Sequence, residues 1–133
     1  DAGRASPGVN RAELAARIHS GMRELRDALL TSRFVADHEF IGSSLLLIAD
    51  AHGFVNVSWI DFAKMRPLPE GVRISHAAGW VLGNHEDGII TGVNNLIAVL
   101  GRLEKLLQQA DFLDRVSSCC SCLPCTCVPH KPV

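Results

Sequence analysis

The sequence predicts an α+β fold in the order helix, β-hairpin, loop, helix, and three observations predict it. Two stripes of apolar residues recur at helical spacing, from Leu14 to Leu29 and from Val93 to Leu107. Between them, two short strand-like runs, Leu45–Ile48 and Val55–Trp59, flank the turn residues Asp50 to Gly53. The stretch from Pro67 to Asn84 is punctuated by proline and glycine. Helices set beside an antiparallel hairpin, with no βαβ alternation, define this class. At 133 residues and 47% hydrophobic content the chain is long enough for one domain with a core, and short for a nucleotide-using enzyme of two lobes.

The first helix is expected over residues 11–31. Asn10 reads as its N-cap with Glu13 as a carboxylate at the third position, and Leu14, Ile18, Met22, Leu25 and Leu29 form the apolar stripe. The opposite face mixes Arg17, Arg23, Glu24, Arg26 and Asp27, which makes it a solvated face rather than a basic amphipathic target helix. The continuous run Leu45–Ile48 suits a strand buried on both faces. Val55, Val57 and Trp59 alternate with polar residues and return antiparallel to it. Pro67, Pro69 and Gly71 exclude regular structure from the next loop, and a second loop passes Gly79, Gly83 and Asn84. Glu86 and Asp87 favour a helix start through the dipole, and the stripe Val93, Leu96, Ile97, Leu100, Leu103 and Leu107 carries that helix to about Gln109. After Asp111 the pattern stops.

Thirteen basic and fourteen acidic side chains leave a net charge of -1, so no global field recruits nucleic acid, and any polyanion site is local. No run reaches the roughly 18 apolar residues of a membrane span, and the N-terminal DAGRASPGVN has no apolar core of a signal peptide. The expected compartment is therefore cytoplasmic, with membrane or cytoskeletal association left open. All five cysteines, Cys119, Cys120, Cys122, Cys125 and Cys127, fall at one end and cannot staple the body of a fold. Metal binding by the cluster, S-acylation and a tail of no defined role all fit them. The six histidines show no ligand spacing, and Ser43 and Ser44 lie in a strand rather than on a nucleophile elbow.

The stretch WIDFAK ends the second strand in Asp61. An aspartate there can form a turn or cap a helix. It can also be a carboxylate rigidly placed at a hairpin end to hold Mg²⁺ against nucleotide phosphates, because that ion takes hard oxygen ligands in strict geometry. Ile60 and Phe62 would anchor the backbone while Asp61 faces the cleft, with the Ser44 hydroxyl on the partner strand nearby.

HEFIGSSLLLIAD, WIDFAK, PLPEG and GNHEDGIITGVNNL, in that order, closely resemble the C-terminal part of the inositol polyphosphate kinase family, on its inositol 1,4,5-trisphosphate 3-kinase branch. The resemblance covers roughly residues 18–107. It implies the C-terminal lobe portion of a protein-kinase-like fold and an ATP-dependent enzyme that adds phosphate to the 3-hydroxyl of inositol 1,4,5-trisphosphate. It implies ATP and Mg²⁺ or Mn²⁺ as cofactors, with calmodulin as a partner reached through upstream sequence. Asp61 then ligates the divalent ion, and Ser44 lies beside the same site. Lys64, assisting with phosphate charge, is also readable as a solvated lysine just outside a strand. Trp80, Gly83, Asn84, Glu86, Asp87 and Gly88 match the family too, with Trp80 and the glycines expected to position the loop against the last helix.

The departures are specific. The family's ATP-binding lysine, hinge and Pro-x-x-x-Asp-x-Lys-x-Gly segment have no counterpart in these residues. Ala63 stands where the family usually has glycine, His85 where it has arginine and Ile89 where it has tyrosine. The expected organisation is a flexible lead-in over 1–10, a partial kinase domain over 11–111 and a disordered cysteine-rich tail over 112–133. This chain alone is expected to transfer no phosphate. The alternative is a truncated, non-catalytic interaction module attached to lipid or metal through its cysteine tail.

Overall fold

In the computed structural model, residues 10–120 are described, with side chains described through Ser117. The fold is mixed α and β, as expected. Helix α1 runs Arg11–Thr31, with Asn10 as N-cap, its side chain accepting from the Ala12 amide at 2.7 Å. Glu13 does not close a capping box; it pairs with Arg17 one turn on. Ser32 leaves the helix in an extended conformation and caps the single turn α2, Arg33–Ala36, by accepting from the Val35 amide.

Strands β2 (Ser44–Ala49) and β3 (Val55–Ile60) form the expected antiparallel hairpin, in register from Ser44 opposite Ile60 to Ala49 opposite Val55. Asp50 builds the turn, its Oδ1 accepting from the His52 and Phe54 amides at 2.8 and 2.9 Å. The expectation of burial on both faces fails for β2, where Leu46, Leu47 and Ile48 are 42–46% exposed. The reason is coverage: α1 packs on β3, while β2 is the far strand of a two-stranded sheet. A continuous apolar run shows that a strand tolerates burial, not what covers it.

A second ladder lay beyond the sequence pattern. Strand β1 (His38–Glu39) pairs antiparallel with β4 (Arg66–Pro67), His38 opposite Pro67 and Glu39 opposite Arg66. The proline-rich loop was expected to hold no regular structure, yet Pro67 joins this ladder, because an edge position needs no N–H from it. The Leu68 amide then continues the contact by donating to the Asp37 carbonyl at 2.9 Å.

Helix α3 spans Ile89–Cys120, well past the expected end near Gln109. No glycine or proline lies between Gly101 and Pro124, so nothing local stops it. Residues 112–120 are thus helical rather than disordered, while Cys122, Cys125 and Cys127 lie outside the described residues. Met22, Leu29, Val35, Phe40, Ile90 and Val93 form the buried core, with Trp59, Ile97 and Leu100 packed against it. Gly21 allows α1 to meet β3, since a Cβ there would stand 3.0 Å from Val57 Cγ2. His19 bridges to α3, its Nδ1 2.9 Å from Glu104 Oε2. Among the described residues no helix is long and apolar enough to cross a membrane.

Candidate functional site

The hairpin carries Ser44 and Asp61 to the same end. Ser44 starts β2 opposite Ile60, and Asp61 follows Ile60 directly, so the two lie at the same end of the hairpin, one residue out of register with each other. Both are exposed. Asp61 has φ 67°, in the left-handed region that aspartate enters more readily than most residues but still at a cost. A turn-forming aspartate spends its carboxylate on nearby amides, as Asp50 does. Among the described residues the Asp61 carboxylate has no hydrogen bond or ion pair. Its oxygens are left free at a backbone position that is conformationally costly.

Aromatic side chains brace this end. The Trp59 ring lies 4.3 Å from Phe40 and 4.7 Å from Phe62, centroid to centroid, the latter edge to face. Phe62 is nevertheless 42% exposed, so it anchors through the Trp59 ring and not through full burial. Beside Ser44 a recess of about 290 Å³ opens between hairpin and α3, lined by Ser43, Ser44, Trp59, Ile89, Gly92 and Leu96 among others. Lys64 sits in the turn closed by the Met65 amide on the Phe62 carbonyl at 3.0 Å. It is exposed and among the described residues makes no ion pair.

The loop ahead of α3 is pinned by groups that motif matching had not joined. His76, buried at φ 58°, places Nδ1 2.9 Å from Asp87 Oδ2 and Nε2 3.0 Å from the Val35 carbonyl. Both partners are acceptors, an arrangement that favours the doubly protonated ring. Burial pushes its pKa down, but the Asp87 hydrogen bond and charge, with the Val35 carbonyl, outweigh it and raise the pKa. Asp87 mirrors this: burial pushes its carboxyl up, and His76 with the Phe40 and Ile89 amides holds it below the usual range. Asp87 therefore caps α3 from Oδ1 while locking the loop from Oδ2. Glu86 Oε1 accepts from the Ser75 amide and hydroxyl at 2.7 and 2.9 Å. His85, at the position of the usual arginine, meets Glu39 through Nδ1 at 2.8 Å. Trp80 is 70% exposed and does not pack the loop on α3 as expected; the His76–Asp87 pair does that work. The signal for the pair was a histidine and an aspartate in one loop, which spacing alone does not distinguish from solvated residues.

The donor set decides what Asp61 can hold. Among the described residues no group of three or more His, Cys, Asp or Glu side chains could hold a metal ion, so a closed protein cage is excluded there. One free carboxylate fits Mg²⁺, which is commonly bound by one or two carboxylates, substrate phosphates and water.

Comparison with known proteins places this geometry. The sequence model of the family described as inositol polyphosphate kinase matches residues 5–101. Inositol-trisphosphate 3-kinase A of Rattus norvegicus is 42% identical over 92 residues, 69% of this chain and 20% of that protein. The inositol-trisphosphate 3-kinase homolog of Caenorhabditis elegans is 34% identical over 104 residues, 78% of this chain and 21% of that protein. Inositol-trisphosphate 3-kinase B of Homo sapiens is 43% identical over 84 residues, 63% of this chain and 9% of that protein. The chain thus spans about a fifth or less of the length of these relatives. The matched span contains the hairpin with Ser44 and Asp61, the pinned loop and the start of α3, and the chain belongs to the inositol polyphosphate kinase family.

Proposed function

We propose that this chain is the C-terminal lobe portion of a protein-kinase-like inositol phosphate kinase, one that transfers the ATP γ-phosphate to the 3-hydroxyl of inositol 1,4,5-trisphosphate. The observation that carries this is Asp61: a carboxylate held in the left-handed region at a hairpin end, free of every turn and capping bond an aspartate usually makes there. Family membership supplies the reaction class, and relatives named as inositol-trisphosphate 3-kinases supply the substrate.

Within that reaction Asp61 would hold Mg²⁺ or Mn²⁺, whose charge offsets that of the transferring phosphoryl group. Ser44, at the same end of the hairpin, would hydrogen-bond water or a phosphate oxygen. The Trp59, Phe40 and Phe62 rings keep the hairpin end from shifting, and positioning to within about an ångström decides rate in such transfers. Lys64 adds local positive charge to a chain of net charge -1. The matching loop, pinned by His76 and Asp87, sets the direction of α3 and so the wall of the recess beside Ser44.

The test is phosphate transfer from ATP to inositol 1,4,5-trisphosphate, assayed with the 133-residue chain and with a longer product in which this chain follows the preceding residues of Rattus norvegicus inositol-trisphosphate 3-kinase A. Asp61→Asn in the longer product is expected to lower kcat by about 10²-fold or more with circular dichroism unchanged. Near-native activity in that variant would remove the assigned role. The 133-residue chain by itself is expected to show no transfer.

A further inference from the structure

The pinned loop and the Asp61 hairpin meet at Phe40. Its ring, 2% exposed, lies 4.3 Å from Trp59 and 6.1 Å from Phe62, centroid to centroid, and these are the residues two before and one after Asp61. Its amide donates to Asp87 Oδ2 at 2.9 Å, the same oxygen that His76 Nδ1 meets at 2.9 Å. The His76 ring stands 6.2 Å from that of Phe40. One carboxylate oxygen thus ties the Phe40 backbone to the loop, and one aromatic ring supports both flanks of Asp61. The chain leaving Asp61 is tied to the same place, since β4 pairs with β1 and β1 ends at Glu39, directly before Phe40. Among the described residues nothing holds the Asp61 carboxylate itself, so its direction is set by the backbone that these neighbours support.

We propose that His76 and Asp87 are positioning residues for Asp61, acting through Phe40, whose amide they hold and whose ring carries Trp59 and Phe62. This rests on the reading of Asp61 as the ligand of the divalent ion. Neither His76 nor Asp87 reaches the hairpin end; each acts on the residue that does. Groups that orient a metal ligand without touching the metal commonly change its affinity by about 10–100-fold. The proton on His76 belongs to the device. A neutral ring has one N–H for two acceptors, Asp87 and the Val35 carbonyl, so deprotonation loosens the tether on the alkaline side. Asp87, and Glu86 at longer range, are the charged groups that bear on His76. The side toward α1 and α2 brings Leu29, Ser32 and Val35, none of them charged.

The Mg²⁺ concentration for half-maximal transfer in the longer product tests this. His76→Gln, whose longer amide reaches toward Val35 rather than Asp87, is expected to raise it by about 10–100-fold. His76→Asn keeps a donor at the Nδ1 position and suits positive φ, and it is expected to restore the native requirement. Phe40→Leu is expected to raise the requirement as His76→Gln does, and the double variant no further, because both cut one connection. A native requirement in His76→Gln beside a lowered thermal midpoint, equal requirements in the Gln and Asn variants, or additive effects with Phe40→Leu would each overturn the proposal. In the 133-residue chain, Trp80→Phe leaves Trp59 as the single tryptophan. Its emission is expected to shift as pH rises above 6.5 and to stay flat once His76→Asn is added. No shift, or one that persists with His76→Asn, overturns the connection to Phe40. This measurement needs no transfer, so native activity in Asp61→Asn beside a shift abolished by His76→Asn would overturn the reading of Asp61 and leave that connection standing.

Discussion

Asp61, His76 and His85 all adopt positive φ, at 67°, 58° and 60°, where glycine is the residue at no steric cost. Two of them have a compensating contact in the fold: His76 with Asp87 and Val35, His85 with Glu39. Asp61 has none, so Asp61→Gly is expected to stabilise the chain by about 1 kcal/mol in a urea titration while abolishing transfer in the longer product. An equal or lower midpoint would show that the carboxylate is structural. The His76–Asp87 pair carries a pH signature. A raised histidine pKa gives stability fully present below the ordinary value of 6.5 and lost as pH rises through the folded value. A depressed aspartate pKa gives stability present above 3.8 and lost as pH falls through the folded value. Stability is thus expected to be greatest between these limits and to fall on raising the pH from 6 to 9. Asp87→Asn is expected to cost about 3–5 kcal/mol and to flatten the alkaline limb. That Ser44 and Asp61 fall at one end of the hairpin was legible in the sequence, because a hairpin's register follows from its turn. The freedom of the Asp61 carboxylate was not, since WIDF reads the same with or without local hydrogen bonds.

Helix α1 was legible to the residue because two independent signals, the Asn10 cap and the Met22 stripe, agree on its limits. Helix α3 was legible at its start, where Asp87 supplies a cap, but not at its end, where the apolar stripe thins while the backbone has no reason to stop. The β1–β4 ladder joins segments too short to show any period. Glycines on the two helices separate close approach from open surface. Gly21→Leu is expected to destabilise by about 1–3 kcal/mol through overpacking on Val57. By contrast, a Cβ at Gly92 meets nothing within 4 Å, so Gly92→Ala is expected to stabilise by about 0.5–1 kcal/mol. Chemical denaturation of both variants checks the pair, and opposite signs are the required result.

The whole molecule rests on a small core. Met22 is its one fully buried side chain of any size among the described residues, and Met22→Ala is expected to cost about 2–5 kcal/mol, a large share of the roughly 5–15 kcal/mol of a typical domain. Its thermal midpoint is therefore expected to fall well below that of the native chain. The class and order of elements were legible because helical and strand periods alternate cleanly along the chain. What covers each element was not, because burial belongs to pairs of surfaces and a single sequence shows one of each pair. The hairpin shows where that leads. Strands β2 and β3 have no third strand among the described residues, and Ser44–Ala49 contains no charge and no proline. A bare ribbon edge of this composition is a template for intermolecular strand addition. The segment that presents Ser44 is therefore also the edge at which strand addition between copies is expected to start in concentrated solution, and Leu47→Lys is expected to suppress it, as light scattering of the two chains would show.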